Sequence, residues 1–388
     1  MPIQKEKYNC SGCTACSNIC PVSCISMQED ALGFKYPVVD YQKCIHCEFC
    51  VKTCPFNKEY RTPRNYPIPI AYAAKAKNTD EIKKSQSGAA FALISDAIIE
   101  KGEVVYGVGY TGKFRITTKR AITKEEKDEF RGSKYVQSDL GNIFKEVKQD
   151  LSMGRKVLFS GTPCQIAGLT SYLPESLKHN LITIDLVCHG VSGPKVWEDY
   201  VLYLENKNRA QIESVNFRDK SLKGWHSHVE SFKFAGKQRT YTYTYRFYNH
   251  INLRQSCGNC PFTNLRRTGD ITIGDCWGIE NTTAAYLGED NIGCSLILIN
   301  TDCGNELFNA VKSQFEFQKV NINELLQPQL QSPVKLNPLR TKFEEDYAKF
   351  GFKYVMRVYG PPRITYIKNF IKRLLPTVLI NLIIKIRR

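Results

Sequence analysis

The stretches CSGCTACSNICP (residues 10–21) and CIHCEFCVKTCP (residues 44–55) decide how the first part of this chain folds. Each spaces three cysteines two residues apart, adds a fourth after three more residues, and follows it with proline. The positions are Cys10, Cys13, Cys16, Cys20 and Pro21, then Cys44, Cys47, Cys50, Cys54 and Pro55, a repeat with a period of 34 residues. A short loop with thiolates at this spacing wraps three corners of a cubane, and in two-cluster modules the fourth cysteine reaches across to the other cluster. Cys10, Cys13, Cys16 and Cys54 are therefore expected to hold one [4Fe–4S] cluster, and Cys44, Cys47, Cys50 and Cys20 the other. Zinc sites use two C-x2-C pairs rather than triplets followed by Cys-Pro, and fit this spacing poorly. Cys24 lies outside the pattern and reads as a small buried hydrophobe.

Outward from this module, composition sets the limits. The chain has 388 residues, 42% of them hydrophobic and 24% charged, which is ordinary for a globular protein. That length predicts a small cofactor module, residues 1–60, followed by a large domain. The 16 cysteines are clustered rather than scattered. The N-terminus MPIQKEKYNC lacks an apolar secretion signal, so a cytoplasmic location is expected, where disulfides persist poorly and metal binding is the better reading. Residues 61–70 (RTPRNYPIPI) carry three prolines and read as an extended linker.

From Ala71 the texture alternates between strand and helix signals. AYAAKAK reads as a strand, GAAFALISDAIIEKG as a helix ending at Gly102, and VVYGVGY as a strand. DLGNIFKEVKQDLSMG reads as a helix, KVLFSG and LITIDLVC as buried strands, and PKVWEDYVLYLENK as a helix with proline at its start. Residues 212–245 alternate polar and apolar through SVNFRD, VESFKFAG and RTYTYTYRF, which suits antiparallel strands. The fold class is mixed α/β, preceded by a small ferredoxin-like α+β module.

Five segments, SQSGAAFAL (85–93), RGSKYVQS (131–138), FSGTPCQIAGL (159–169), DLVCHGVSGPKVW (185–197) and CGNCPF…GDITIGDCWGI (257–279), carry a family resemblance. In this order the chain resembles the beta subunit of coenzyme F420 hydrogenase/dehydrogenase. The resemblance implies a mixed-sheet flavin domain over residues 71–350, binding FAD. One departure is that the family's Ser-Gly-Gly appears as Ser87-Gly88-Ala89, adding a methyl group. The candidate cofactor contacts make sense for a dinucleotide. Ser87 and Gly88 open a helix, whose free N–H groups favour phosphate. Gly161, Thr162 and Pro163 form a second turn between a buried strand and a helix. Gly132, Ser133, Lys134 and Tyr135, beside Arg131, supply a hydroxyl, cations and a ring suited to stacking. Cys164, Cys188, Cys257 and Cys260 also fall in these segments, and the last two have ligand spacing, so a third [4Fe–4S] cluster is expected, with inert core thiols the alternative for Cys164 and Cys188. Cys276, Cys294 and Cys303 read as core. His189, beside Cys188, reads as structural.

The formal charge is +16. Three clusters would contribute about −6 and a flavin dinucleotide about −2, leaving roughly +8. Residues 361–388 alone carry seven Lys/Arg and no acid, so the charge does not point to nucleic acid. In this tail Ile364, Ile367, Phe370, Ile371, Leu374 and Leu375 recur at helical spacing opposite Lys368, Lys372 and Arg373, and Pro376 interrupts the run. The apolar part is too short to span a bilayer, and a basic amphipathic helix on the inner membrane face is one expectation, packing on the body or a partner the other.

The function implied is an iron–sulfur flavoprotein oxidoreductase. It would move electrons between a hydride donor or acceptor, such as reduced deazaflavin, and a ferredoxin-type partner or an organic substrate. The alternative is a non-catalytic, membrane-associated electron carrier or scaffold.

Overall fold

The computed structural model describes residues 3–57 and 64–362; the basic tail beyond 362 and the start of the proline linker lie outside these residues. The strands are β1 Ile25–Glu29, β2 Lys35–Val39, β3 Ile70–Ala76, β4 Val104–Thr111, β5 Arg115–Ala121, β6 Val157–Gly161 and β7 Leu181–Leu186. They continue as β8 Ile212–Asn216, β9 Glu230–Phe234, β10 Lys237–Tyr241, β11 Ile271–Asp275, β12 Ser295–Ile299 and β13 Phe315–Val320.

The 34-residue repeat of the first module is also a repeat of backbone. Helix Ala15–Ile19 follows Thr14 at φ 63°, and helix Phe49–Thr53 follows Glu48 at φ 62°. The capping cysteines, Cys20 and Cys54, both have φ −67°. Between the halves, β1 and β2 form an antiparallel hairpin. So small a module has little core of its own, and Leu32 and Phe34 at its hairpin instead pack with Trp197 and Val201 of the large domain.

The large domain is built on an eight-stranded mixed sheet in the order β13-β3-β12-β11-β7-β6-β4-β5. The middle four strands, β11, β7, β6 and β4, run parallel, while β3, β5, β12 and β13 pair antiparallel. Buried runs such as VLFSG are what a strand covered on both faces requires. Leu158 points to helices Ala90–Ile99 and Asp302–Val311, whereas Val157 and Phe159 point to helices Ile143–Ser152 and Pro163–Tyr172.

A second, three-stranded sheet, β10-β9-β8, packs on helix Pro194–Asn208. The alternation in RTYTYTYRF predicts strand throughout, but Thr244–Tyr248 is helical. The reason is tertiary. The buried Glu230 carboxylate accepts from the Tyr243 and Thr244 N–H groups at 2.8 and 2.7 Å, capping a helical turn that the pattern does not signal. The last described helical stretch, Arg340–Val358, is broken at Gly351, whose φ is 75°.

Candidate functional site

Thirteen of the 16 cysteines gather in three places. In the first, Cys10, Cys13, Cys16 and Cys54 surround a small cavity beneath Phe56, bordered also by Ile3 and Met27. Burial pushes the Cys13 thiol up to about 12, with the neighbouring Cys10, Cys54 and Cys164 adding to the rise. The fourth cysteine of one repeat thus stands with the triplet of the other, as crossed ligation requires.

In the second place, Cys24 is buried with its Sγ 3.4 Å from that of Cys20, and it also meets Cys44. Cys50 is buried, while Ile45 and Phe49, between the ligands of this repeat, are 60% and 49% exposed. The equivalent residues of the first repeat, Ser11 and Ala15, are 5% and 0% exposed. One half of the module faces the protein and the other faces out.

The third place lies in the large domain. Cys164 is the second residue of helix Pro163–Tyr172, Cys188 follows the end of β7, Cys257 lies within the 3-10 turn Gln255–Asn259, and Cys260 caps that turn. All four line one small cavity, together with Ser11 and Phe56 of the N-terminal module. Burial drives the Cys188 thiol far above its ordinary range, and Cys257, Cys164 and Cys260 push it further. Burial similarly raises Cys257, to about 11. Thiols that oppose each other's ionisation in this way are relieved by a bound cationic metal centre, so this donor set suits an iron–sulfur cluster. Among the described residues, no three His, Cys, Asp or Glu side chains close on a point that a single metal ion would fill.

The loop that presents Cys257 and Cys260 is held by a buried pair. Arg267 donates to Asp185 at 3.2 Å and to the carbonyls of Phe262 and Leu186 at 2.9 Å each. Asp185 also accepts from the Thr268 and Gly269 N–H groups at 3.0 and 3.1 Å. The module is docked over this site by Arg254, which donates to the Cys10 carbonyl at 2.7 Å and the Lys35 carbonyl at 2.9 Å, and stacks on Tyr36 at 4.3 Å. Gln137 donates to the Ser11 carbonyl at 2.7 Å.

Above the third set opens a cavity of about 500 Å³, at the carboxyl ends of the parallel strands, where α/β sheets take their ligands. Ser87, Gly132, Ser133, Lys134, Tyr135, Gly161 and Thr162 line it, and so do Cys164 and Cys188. Pro163 lines the thiol cavity instead. Gly88 turns to the sheet: its N–H donates to Ser295 at 2.9 Å, and a Cβ there would lie 2.3 Å from the Ala74 carbonyl. Ala89 is the N-cap of its helix at φ 69°, a left-handed conformation in which glycine costs nothing and alanine is strained. Burial lowers the Lys134 amine to about 7, while the carbonyls of Phe130, Arg131 and Gly132 accept its protons at 3.3, 2.9 and 3.2 Å.

The cavity lining also takes in Arg218, His228, Tyr248 and Gln329, which no sequence pattern singled out, and Asp275 and Trp277 from the segment GDITIGDCWGI. His189 is tied on both ring nitrogens, to His250 at 2.7 Å and Gln329 at 2.9 Å. Cys276 and Cys294 are fully buried core residues.

Comparison with known proteins agrees with this organisation. Residues 154–324 match the family model for the C terminus of the coenzyme F420 hydrogenase/dehydrogenase beta subunit. Residues 9–58 match a 4Fe-4S dicluster domain, and a second dicluster model matches 43–92. An F(420)H(2) dehydrogenase subunit from Methanosarcina mazei is 22% identical over 372 residues, spanning 90% of this chain and 95% of that protein. An NADH-quinone oxidoreductase subunit from Pelobacter propionicus is 38% identical over 58 residues, 13% of this chain and 31% of its own length. A chain of the F420-reducing [NiFe] hydrogenase complex from Methanosarcina barkeri aligns with 77% of this chain and 93% of its own, at 17% identity and a TM-score of 0.46. The two family-model matches bear out the resemblance seen in the motifs. No described helix is long and apolar enough to cross a membrane.

Proposed function

We propose, for a chain that joins a 4Fe-4S dicluster domain to the C-terminal family of coenzyme F420 hydrogenase/dehydrogenase beta subunits, that the large cavity binds FAD and exchanges a hydride there with a deazaflavin of the F420 type. The coarser statement, an electron-transfer oxidoreductase with 4Fe–4S clusters, follows directly from that membership. One observation carries the finer reading. Cys164 and Cys188 line both the large cavity and the small thiol cavity, which in turn reaches Ser11 and Phe56 beside the first cluster site.

Bound flavin would supply the conversion between two-electron and one-electron chemistry. Ser87, Ser133, Thr162 and Lys134 would hold its phosphates and ribityl chain by hydroxyl and ammonium contacts. Cys164, Cys188, Cys257 and Cys260 would hold a third cluster, with Arg267 and Asp185 fixing the loop. Electrons would then pass to the Cys10/Cys13/Cys16/Cys54 site, on to the Cys20/Cys44/Cys47/Cys50 site, and to a redox partner that meets the outward half of the module around Ile45 and Phe49.

Anaerobic reconstitution with iron, sulfide and FAD tests the reading. About twelve irons per chain and one FAD are expected, and Cys257→Ser should lose about four of those irons. Stoichiometric zinc at the third site, or eight irons with no flavin, would overturn the relay.

A further inference from the structure

Four separate stretches of chain meet in one part of the cavity lining: Arg218 and His228, Tyr248, Asp275 and Trp277, and Gln329. Tyr248 and His228 share a hydrogen bond of 2.8 Å between the phenol oxygen and Nδ1, and both line the cavity. His228 presents more than a third of its surface, which opens into this cavity. Tyr248 also contacts Tyr135, with ring centroids 5.9 Å apart, and lies 5.7 Å from the ring of His189, the residue after Cys188. Trp277 forms a flat wall beside them. It stacks on the buried Trp225 at 4.7 Å and 10°, and Arg218 lies 5.1 Å over its ring. Arg218 is itself fixed, ion-paired to Asp275 and donating to the Trp225 carbonyl at 3.0 Å. Rigid rings, neutral hydroxyl and imidazole groups and no uncompensated anion suit a planar conjugated molecule.

We propose that Tyr248 and His228 are a proton-transfer pair for a planar hydride donor bound against Trp277. The inference rests on the hydride-exchange reading above and assigns to it the residues that handle the proton. Oxidation of such a donor breaks a C–H bond, whose electron pair leaves with the hydrogen for the flavin. It also releases an N–H or O–H proton. The Tyr248 hydroxyl accepts that proton as it passes its own to His228 Nδ1. The two electrons then leave singly through the clusters, so each donor oxidised reduces two one-electron acceptors and releases two protons. His228 can take the proton because its Nδ1 already lies 2.8 Å from the phenol oxygen. Partial desolvation and the positive charge of Arg218 lower its pKa to about 4, so the proton does not rest on the imidazole but passes on to water at its exposed face. The ionisable groups around the pair are Arg218, Asp275, Tyr135, His189 and His250.

The test uses the full reconstituted protein, reduced coenzyme F420 as donor and methyl viologen as acceptor. Tyr248→Phe keeps the ring and its packing, so flavin content and near-ultraviolet circular dichroism should match wild type. Its kcat should fall about 100-fold, within the range for a lost general acid–base group, with little change in KM. The solvent deuterium isotope effect on kcat should change with it. His228→Gln should give a smaller loss and shift the pH profile of kcat. If Tyr248→Phe, folded and flavin-loaded, keeps the wild-type kcat and isotope effect, the proton role is overturned while hydride exchange stands. If wild type, loaded with flavin and clusters, oxidises no reduced F420, the hydride reading falls and the pair with it.

Discussion

Replacing Gly168 by alanine should destabilise the cluster-loaded protein more than the metal-free one. Gly168 sits inside helix Pro163–Tyr172, where alanine ordinarily gains about 1 kcal/mol over glycine. Here, however, an added Cβ would stand 2.8 Å from both Cβ and Sγ of Cys13, and ordinary contact begins at 3.4 Å. Helix and cysteine must therefore separate by about 0.6 Å (3.4 − 2.8). With a cluster bound, Cys13 is pinned by its iron bond and the strain falls on the docking of the module, at a cost of about 1–3 kcal/mol for overpacking. Without a cluster, Cys13 Sγ can rotate away and the module can draw back from the helix. Only Cβ then still presses on the added methyl, so the cost is smaller, offset in part by the helical gain of up to about 1 kcal/mol. Anaerobic thermal unfolding of wild type and Gly168→Ala, each with and without clusters, reads the difference. A variant that stabilises both forms equally, or leaves cluster retention unchanged, refutes the close approach of Cys13 to this helix.

Residues 1–60 expressed alone should take up about eight irons, since all eight ligands of two cubanes lie within them; a folded, metal-free module by circular dichroism would contradict this. Arg267→Ala leaves Asp185 buried and without its cationic partner, at about 3–5 kcal/mol, and should release iron from the third site first; unchanged iron content would show that the Cys257 loop holds itself. FAD affinity should fall as pH rises from about 7 towards 9, because Lys134, with its pKa lowered to about 7, loses its proton there and the anion loses a cation. Lys134→Met should flatten that profile in fluorescence titration, and a profile that stays steep would place the titrating group elsewhere. Deleting residues 361–388 should abolish binding to anionic vesicles that weakens with salt in the full chain; full-length protein that ignores such vesicles at low salt removes the tail from the membrane.

The N-terminal module was the most legible part of the sequence because its chemistry is local. A cubane dictates the spacing of Cys10, Cys13 and Cys16, and repetition supplies the partner ligand. The parallel strands at residues 157–161 and 181–186 were legible for a related reason, since burial on both faces leaves a continuous apolar run. The strands at 115–121, 271–275, 295–299 and 315–320 were not predicted as strands. RITTKRA has few apolar residues and FEFQKV pairs at an edge, so periodicity there is weak. Of the wall around Trp277, only Asp275 and Trp277 fell in a segment that the sequence marked; nothing local marks the rest. Tyr248 stands there on a helical turn capped from a distant strand by Glu230, and His228 and Trp277 reach the same wall from other segments. Ala89 was recognised as a departure from the family, but only its positive φ explains why glycine suits that place.

The duplicated halves of the N-terminal module have unequal freedom to change. Ser11, Thr14 and Ala15 are locked between the Arg254 and Gln137 contacts and the helix of Gly168, so a substitution there disturbs several neighbours together. Their counterparts Ile45, Glu48 and Phe49 lie on the exterior. The outer half can therefore be remodelled to suit one redox protein or another while the wiring beneath it stays as it is. On the route proposed above, grafting a different outer loop between Cys44 and Cys50 should change which redox protein is served and leave the contacts beneath it in place.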